Sequence, residues 1–413
     1  MRLGAMAWRT LMRSRRRSLI TCFSVAFGVL LAVTFTASAD YSYTSMINTS
    51  ARMGLGHLSV QHPAYNETPT LDRRLVEAET VRQAALAIPG VAAARIRIMG
   101  QAMFASGARS QGGSFIAIDP GEERPGENIF LGNLVEGACF AESDGHGVVV
   151  GRKMAEKLNL RPGRKLIFTL ADKNGELVSE ISRVSGIFAT GDDAVDGSLV
   201  LLPLGLVRDV LAYEPGAASL VALFLADHRR AAAVRAELAG RLAGLSGLAV
   251  RTWRETQADL AGLITVDRLF NYLLQLLVGL VIAAGIMNTL LMSVMERCRD
   301  FGIMLALGMT PGRIVRLVLL ESCWIGLLGL LLGVFLTLPW YLFMSRVGID
   351  FSAQIGNDYS AGGVLVDPVL KFALSWQTAL VIGAAVFALT MLAGIFPAIK
   401  AGRTVPVENL KRV

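Results

Sequence analysis

Cysteine and histidine are scarce, with four of each in 413 residues. Cys22 and Cys323 lie in long apolar runs, Cys298 lies in a short segment between two such runs, and Cys139 stands alone in a polar region. That distribution supports no disulfide framework, so any folded polar region must hold itself together with an ordinary apolar core. His57, His62, His146 and His228 are scattered, and neither HExxH nor CxxC occurs, so no metal site is expected. There is no GxxxxGK[ST] loop for a nucleotide. No Ser, His and acid combination is legible from spacing, and Gly145-His146-Gly147 reads as a loop. Gly112-Gly113 has no strand-to-helix context and reads as a turn. Acidic residues are missing from the first 17 positions, and internal repeats and low-complexity runs are missing throughout.

Apolar residues, by contrast, make up 53% of the chain. Four runs, 18–39, 270–295, 314–344 and 376–399, reach the roughly 20 helical residues that cross a bilayer core of about 30 Å. The second and third exceed that minimum, which calls for tilt or for helical stalks beyond the hydrocarbon. Basic residues set the orientation. Arg9, Arg13, Arg15, Arg16 and Arg17 precede the first run, Arg297 and Arg313 flank the loop after the second, and Lys400, Arg403, Lys411 and Arg412 close the chain. The loop after the third run carries Asp350, Asp358 and Asp367 against Arg346 and Lys371. Both termini and the 296–313 loop are therefore expected in the cytoplasm, and 40–267 outside. The net charge of +7 follows from these arginines and makes no case for nucleic acid. The first run is too long for a signal-peptide core, although Ala37-Ser38-Ala39 has the look of a cleavage site.

Residues 2–17 place Leu3, Met6, Ala7, Leu11 and Met12 at helical spacing among arginines, the pattern of an amphipathic helix on the inner membrane surface. Residues 40–52 extend the first membrane helix outward until Gly54 and Gly56. From there the pattern alternates between short strands and helices. Strands are expected at 57–61, 94–105, 114–118, 148–150, 165–170, 179–188, 198–202, 219–225 and 248–254. Helices are expected at 75–88, 153–158, 204–211 and 229–242. Asn174-Gly175 makes a good hairpin turn, and 119–147 reads as loop. The sum is a mixed α+β domain of about 200 residues, large enough for its own core.

Residues 296–312 read ERCRDFGIMLALGMTPG. A short amphipathic helix here would gather Ile303, Met304 and Leu307 on one side before Gly308 and the Pro311-Gly312 turn. Such a helix is either a place to receive a push from another protein or a loop lying on the headgroups. Asn271, Gln275 and Asn288 in the second run fit helix–helix hydrogen bonding or a substrate contact, and Gly329 with Gly333 in the third fits a packing face. Glu321 enters the third run by about two turns and would reach back to Arg316 or Arg313. With no chain of buried acids, a proton-coupled pump is not indicated.

These motifs resemble the FtsX/MacB/LolC–LolE family of ABC transporter permeases over nearly the whole chain. Residues 296–308, ERCRDFGIMLALG, are similar to the family's E-R-x-R-E-F-G-x-L-R-A-x-G, with Asp300 for the usual Glu and Leu305 where Arg is common. Trp8-Arg9-Thr10-Leu11, Arg15-Arg16-Arg17 and residues 24–28 look like its entry into the first span. Residues 397–403 with Pro406-Val407-Glu408-Asn409-Leu410 look like its closing segment. Residues 57–65, HLSVQHPAY, with 148–158 and 185–188, look most like the lipoprotein-releasing branch.

The resemblance implies an α-helical membrane protein with four transmembrane helices and an extracytoplasmic α+β domain inserted between helices 1 and 2. Its parts would be a cytosolic amphipathic helix (1–17), the first span and stalk (18–53), and a two-part outer domain (54–255) with a smaller inserted part at 119–199. A permease domain (256–413) would hold the second span, the coupling helix at 296–312, and the third and fourth spans. It implies a non-catalytic subunit in a bacterial inner membrane that pairs with a second permease chain and a cytosolic ABC ATPase dimer. This chain would leave ATP and Mg to that partner, and an extracytoplasmic adaptor or chaperone would complete the system. Glu296, Arg297, Arg299, Phe301, Gly302, Met304, Leu307 and Gly308 would couple to the ATPase, with Phe301 inserted in the partner's groove. Phe35, Met46 and Phe270 stand near the height to touch acyl chains, or else ordinary lipid or a dimer seam. The implied function is release or export of lipoprotein or another amphiphile. The alternatives are MacB-like efflux of peptides or drugs and FtsX-like signalling to a cell-wall hydrolase.

Overall fold

A computed structural model of the chain describes residues 3–13, 15–124, 126–173, 175–351, 360–361, 364–365 and 369–403. The expected tail motif at 406–410, with Asp358, Asp367, Asn174, Lys411 and Arg412, lies outside the described residues. The chain divides into two compact units. One joins Met1–Ser42, Val266–Asp350 and Val369–Val413; the other joins Tyr43–Thr265 and Phe351–Pro368.

The first unit is helical. A short helix, Leu3–Arg13, buries Ala7 and Leu11 and turns its arginines outward, as its apolar spacing predicts. Four long helices follow: Arg15–Ser50, Ala258–Glu296, Pro311–Arg346 and Trp376–Gly402. All four are long and apolar enough to cross a membrane. The second begins well before the expected 270: Ala258–Asp267 contains no proline, and the helix runs through its one glycine, Gly262. Small residues let the helices approach. A Cβ on Gly329 would lie 2.6 Å from Val25 Cβ, and one on Gly333 would lie 2.9 Å from Val29 Cβ, so this pair is a packing face against the first long helix. Gln275 donates to Asn271 Oδ1 at 2.5 Å and to Thr36 Oγ1 at 3.2 Å, which makes it a polar tie between the first and second long helices.

The second unit is α+β. Its strands are β1 (Leu58–Gln61), β2 (Val91–Ser106), β3 (Arg109–Ile118), β4 (Leu134–Gly137) and β5 (Gly147–Gly151). They continue with β6 (Lys165–Ala171), β7 (Leu177–Phe188), β8 (Leu199–Pro203), β9 (Leu220–Leu225) and β10 (Ala249–Thr252). The order is β10-β1-β9-β2-β3-β8-β5-β7-β4, with β6 paired to β2 and β7. The long strand β2 joins two regions: its first half pairs with β9, its second half with β3 and β6. β8 and β9 are buried along their whole length and read as unbroken apolar runs, as strands covered on both faces do. Phe104, Phe115 and Phe168 are fully buried in the main core cluster of this unit, to which the helices Ala78–Leu86 and Ala231–Arg241 also contribute. The proposed ends of the inserted part, 119 and 199, fall at the ends of β3 and β8, which pair in parallel within the same sheet.

Two local readings are corrected here. Gly112-Gly113 is not a turn but lies inside β3; a Cβ on Gly113 would come 2.4 Å from the Ser198 carbonyl oxygen, so glycine serves a close backbone approach. Residues 119–147 are not all loop. Asn128 caps a single helical turn, Ile129–Gly132, by accepting from the Phe130 and Leu131 amides, and β4 then pairs with β7.

Candidate functional site: the short helix between the second and third long helices

The second long helix ends at Glu296, and Arg297 leaves helical geometry (φ −102°, ψ 8°) before a new helix, Cys298–Ala306. That helix stops at a glycine. Gly308 has φ +92°, its amide donates to the Leu305 carbonyl at 3.0 Å, and the Met309 amide donates to the Met304 carbonyl at 3.0 Å. This pair of bonds is a Schellman ending, which requires the left-handed residue that glycine supplies without strain. Thr310 and Pro311 then start the third long helix, with proline at the first helical position.

The inner face of the short helix is anchored within its own chain. Phe301 is fully buried in a cluster with Ala7, Val294, Ile314, Leu317 and Ala398. Met304 and Leu305 pack on the same cluster, and Gly302 is buried. The Arg297 guanidinium lies 5.0 Å from the Phe301 ring centroid, within cation–π range. Trp8 of the N-terminal helix meets Trp324 edge-on at 5.0 Å. Two ion pairs frame the joint. Arg17 donates to both oxygens of Glu296 at 2.5 Å, and Arg297 donates to both oxygens of Glu321 at 3.0 Å. The outer face is left bare, with Arg299, Ile303, Leu307 and Gly308 exposed and Leu307 at 83%.

Three expectations change accordingly. Phe301 does not project toward a partner's groove; it faces this chain's own helices, because it falls one turn after Arg297 on the side that the apolar cluster covers. Ile303 and Leu307 share the exposed side, whereas Met304 turns inward, so the three do not form one face. Glu321 pairs with Arg297 and not with Arg316 or Arg313. A separation of five residues puts side chains on different sides of a helix, so Arg316 could not meet it. Nothing in the spacing pairs Arg17 with Glu296; only their shared position at the membrane border hints at it.

A second feature lies among the first, second and fourth long helices. A cavity of about 250 Å³ is lined mainly by apolar groups, including Ala32, Phe35, Gly279, Val386 and Leu389, with Gln275 at one edge. Phe35 thus borders open space. Phe270 is exposed and Met46 is buried, and neither is among the residues that line this cavity.

In the α+β unit, the 57–65 stretch is used by the fold. His57 Nδ1 accepts from the Leu225 amide and Nε2 donates to Asn48 Oδ1, both at 3.0 Å, and Tyr65 donates to the Met99 carbonyl. Burial, with a smaller contribution from His228, lowers the His57 pKa to about 4, so the ring is neutral. Arg97 and Glu123 form an ion pair at 2.8 Å with side chains 0% and 1% exposed. The Cys139 thiol is pushed up to about 11 by burial, which keeps it unreactive. Among the described residues no group of three or more His, Cys, Asp or Glu is arranged to hold a metal.

The MacB-like periplasmic core domain model matches residues 18–241, and the FtsX-like permease C-terminal model matches residues 272–406. The chain belongs to the FtsX/MacB/LolC–LolE-type family of ABC transporter permeases. Its relatives include the lipoprotein-releasing system transmembrane protein LolE of Haemophilus influenzae, 27% identical over 68% of each chain. LolC of Neisseria meningitidis is 25% identical over 78% of each chain. The pyoverdine export ATP-binding/permease protein PvdT of Pseudomonas fluorescens is 26% identical over 98% of this chain and 58% of that one. Among solved structures, the periplasmic region of MacB from Actinobacillus actinomycetemcomitans aligns with TM-score 0.35 and 13% identity, over 49% of this chain and 90% of that one. Membership in this permease family, with four apolar helices, makes the chain a membrane protein.

Proposed function

We propose that this chain is the membrane subunit of an ABC transporter that releases or exports a lipid-bearing substrate, lipoprotein foremost, driven by a separate cytosolic ATPase dimer. The observation that carries the reading is the two-sidedness of the helix Cys298–Ala306. One face is locked to the chain's own helices, and the other presents Ile303 and Leu307, apolar and uncovered, beside Arg299. An anchored helix with an exposed apolar ridge suits a partner's groove at the inner membrane border. ATP and Mg belong to that partner in this reading, and this chain carries no catalytic step.

In the same reading both termini and residues 296–312 are cytoplasmic, as the clustered arginines favour, and the 54–255 domain stands outside the inner membrane. Closing of the ATPase dimer moves the short helix, and the long first and second helices carry the motion outward. The second long helix leaves Leu269, Phe270, Leu277 and Val281 exposed, a surface for a second permease chain or for lipid. The apolar cavity beside Phe35 has walls suited to an acyl chain. An extracytoplasmic acceptor takes the released substrate. A second reading, export of a smaller amphiphile, is favoured by the alignment with the pyoverdine exporter across 98% of this chain.

The expected outcome of Leu307→Asp is loss of ATPase co-purification with the folded chain, at least tenfold, because a charge cannot be buried unpaired in an apolar groove. Unchanged co-purification would remove the docking role. Mass spectrometry of the purified complex separates the two substrate readings: a bound lipoprotein supports the first, and a bound small amphiphile alone supports the second.

A further inference from the structure

Glu296 and Arg297 are successive residues at the one break between the second long helix and the short helix, yet they reach in different directions. Glu296 takes both guanidinium nitrogens of Arg17, at the foot of the first long helix and 279 residues away in sequence. Arg297 donates to both oxygens of Glu321, inside the third long helix. The second pair is the more enclosed, with side chains 19% and 10% exposed. Beside Arg17 and the Arg297–Glu321 pair lies a small cavity of about 20 Å³, lined by those three charged groups, the hydroxyls of Thr10, Thr21 and Ser293, and apolar Leu11, Leu290 and Ile325. That volume is enough for one water molecule. The site therefore joins the N-terminal helix and three long helices through polar contacts at the point where the chain bends.

An isolated ion pair at a protein surface contributes little, but a bidentate Arg–carboxylate pair fixes orientation as well as distance. Arg17–Glu296 is such a pair, and Arg297, donating from one guanidinium nitrogen to both Glu321 oxygens, ties the next residue to the third long helix, so the break is restrained from two sides. From this we infer that the Arg17–Glu296 and Arg297–Glu321 pairs form a transmission joint. A stroke delivered to the helix Cys298–Ala306 is divided by them between the first and third long helices, instead of travelling only along the second. Arg17 and Glu296 are positioning residues. They touch neither the exposed ridge of the short helix nor the apolar cavity, and they act by holding the bend to the first long helix. The inference rests on reading the short helix as the docking foot.

The joint is tested by charge exchange in the full-length chain, reconstituted in nanodiscs with the ATPase that co-purifies with it. Arg17→Glu, Glu296→Arg and the double exchange all keep these charges at the same membrane border. Hydrogen exchange is followed with and without ATP in peptides covering 18–50 and 298–306. The wild-type complex is expected to show an ATP-dependent change in the 18–50 peptides. Each single exchange should abolish that change, the Arg17→Glu variant with its ATPase still co-purifying, and should speed exchange in 298–306 at least fivefold. The double exchange should return both to within twofold of wild type. Single variants that keep the ATP response, or a double variant no better than the singles, would overturn the joint. So would a wild-type complex whose 18–50 peptides ignore ATP. If no ATPase accompanies the wild-type chain, the docking reading fails instead. The ATP-free exchange of 298–306 then decides the joint alone, and unchanged protection in the single variants overturns it.

Discussion

The α+β unit and the helical unit solve the same packing problem with different side chains. In the α+β unit the buried positions are Phe104, Phe115, Phe168 and the leucines and valines of β8 and β9, large groups whose removal from water drives collapse. In the helical unit the close contacts run through Gly329, Gly333 and Gly394, while large residues such as Leu277, Val281 and Phe335 face outward. Lipid is as apolar as leucine, so burying leucine between membrane helices gains little, and close backbone approach and polar ties do the holding. Charge follows the same division. The α+β unit encloses a complete ion pair, Arg97–Glu123, whereas in the helical unit the pairs Arg17–Glu296 and Arg297–Glu321 are partly exposed and lie next to the bend.

The largest expected effect probes that enclosed pair. Arg97→Met leaves Glu123 buried without its cation and should destabilise the α+β unit by about 3–5 kcal/mol. Adding Glu123→Leu should recover most of the loss. Chemical denaturation of the full chain in nanodiscs, followed by proteolysis of the 58–252 region, measures both.

A second expected effect of similar size belongs to pH. The folded-state pKa of His57 lies at about 4, below its usual value near 6.5, so the unfolded chain binds the proton more readily. Stability from this site is complete above about pH 6.5 and falls as pH drops toward 4, by roughly 3 kcal/mol in total. His57→Gln should flatten that part of the stability–pH curve, and an unaltered slope would place its origin elsewhere. The helical unit, which buries no histidine, should show no matching slope in its own protection pattern.

A smaller effect tests the opposite strategy. Gly329→Leu drives a side chain into Val25 and should cost about 1–3 kcal/mol in the helical unit, seen as a lower melting point in detergent. Val25→Ala in the same chain should relieve part of it. The smallest effect is local. Gly308→Ala forces an L-residue to φ +92° and should cost about 1 kcal/mol, read as faster hydrogen exchange in 298–309 with global stability nearly unchanged.

Much of this molecule could be read along the chain. The four membrane helices follow from length and hydropathy, the N-terminal helix from its spacing, and the β6–β7 hairpin from a glycine turn, now seen with Gly175 at φ +87°. The packing role of Gly329 and Gly333 was likewise legible, because small residues four apart have few other uses in a membrane helix. These are properties of neighbouring residues, and the bilayer or the backbone enforces them locally.

Only the tertiary structure decided which side of each element is spent inside the chain. It turned Phe301 inward and left Leu307 bare, gave Glu321 to Arg297, brought Arg17 to Glu296, and put Gly113 within a strand against the Ser198 carbonyl. Amphipathic spacing states that a face exists but not what covers it. Partners hundreds of residues apart are chosen by how helices and strands pack, which no local pattern encodes.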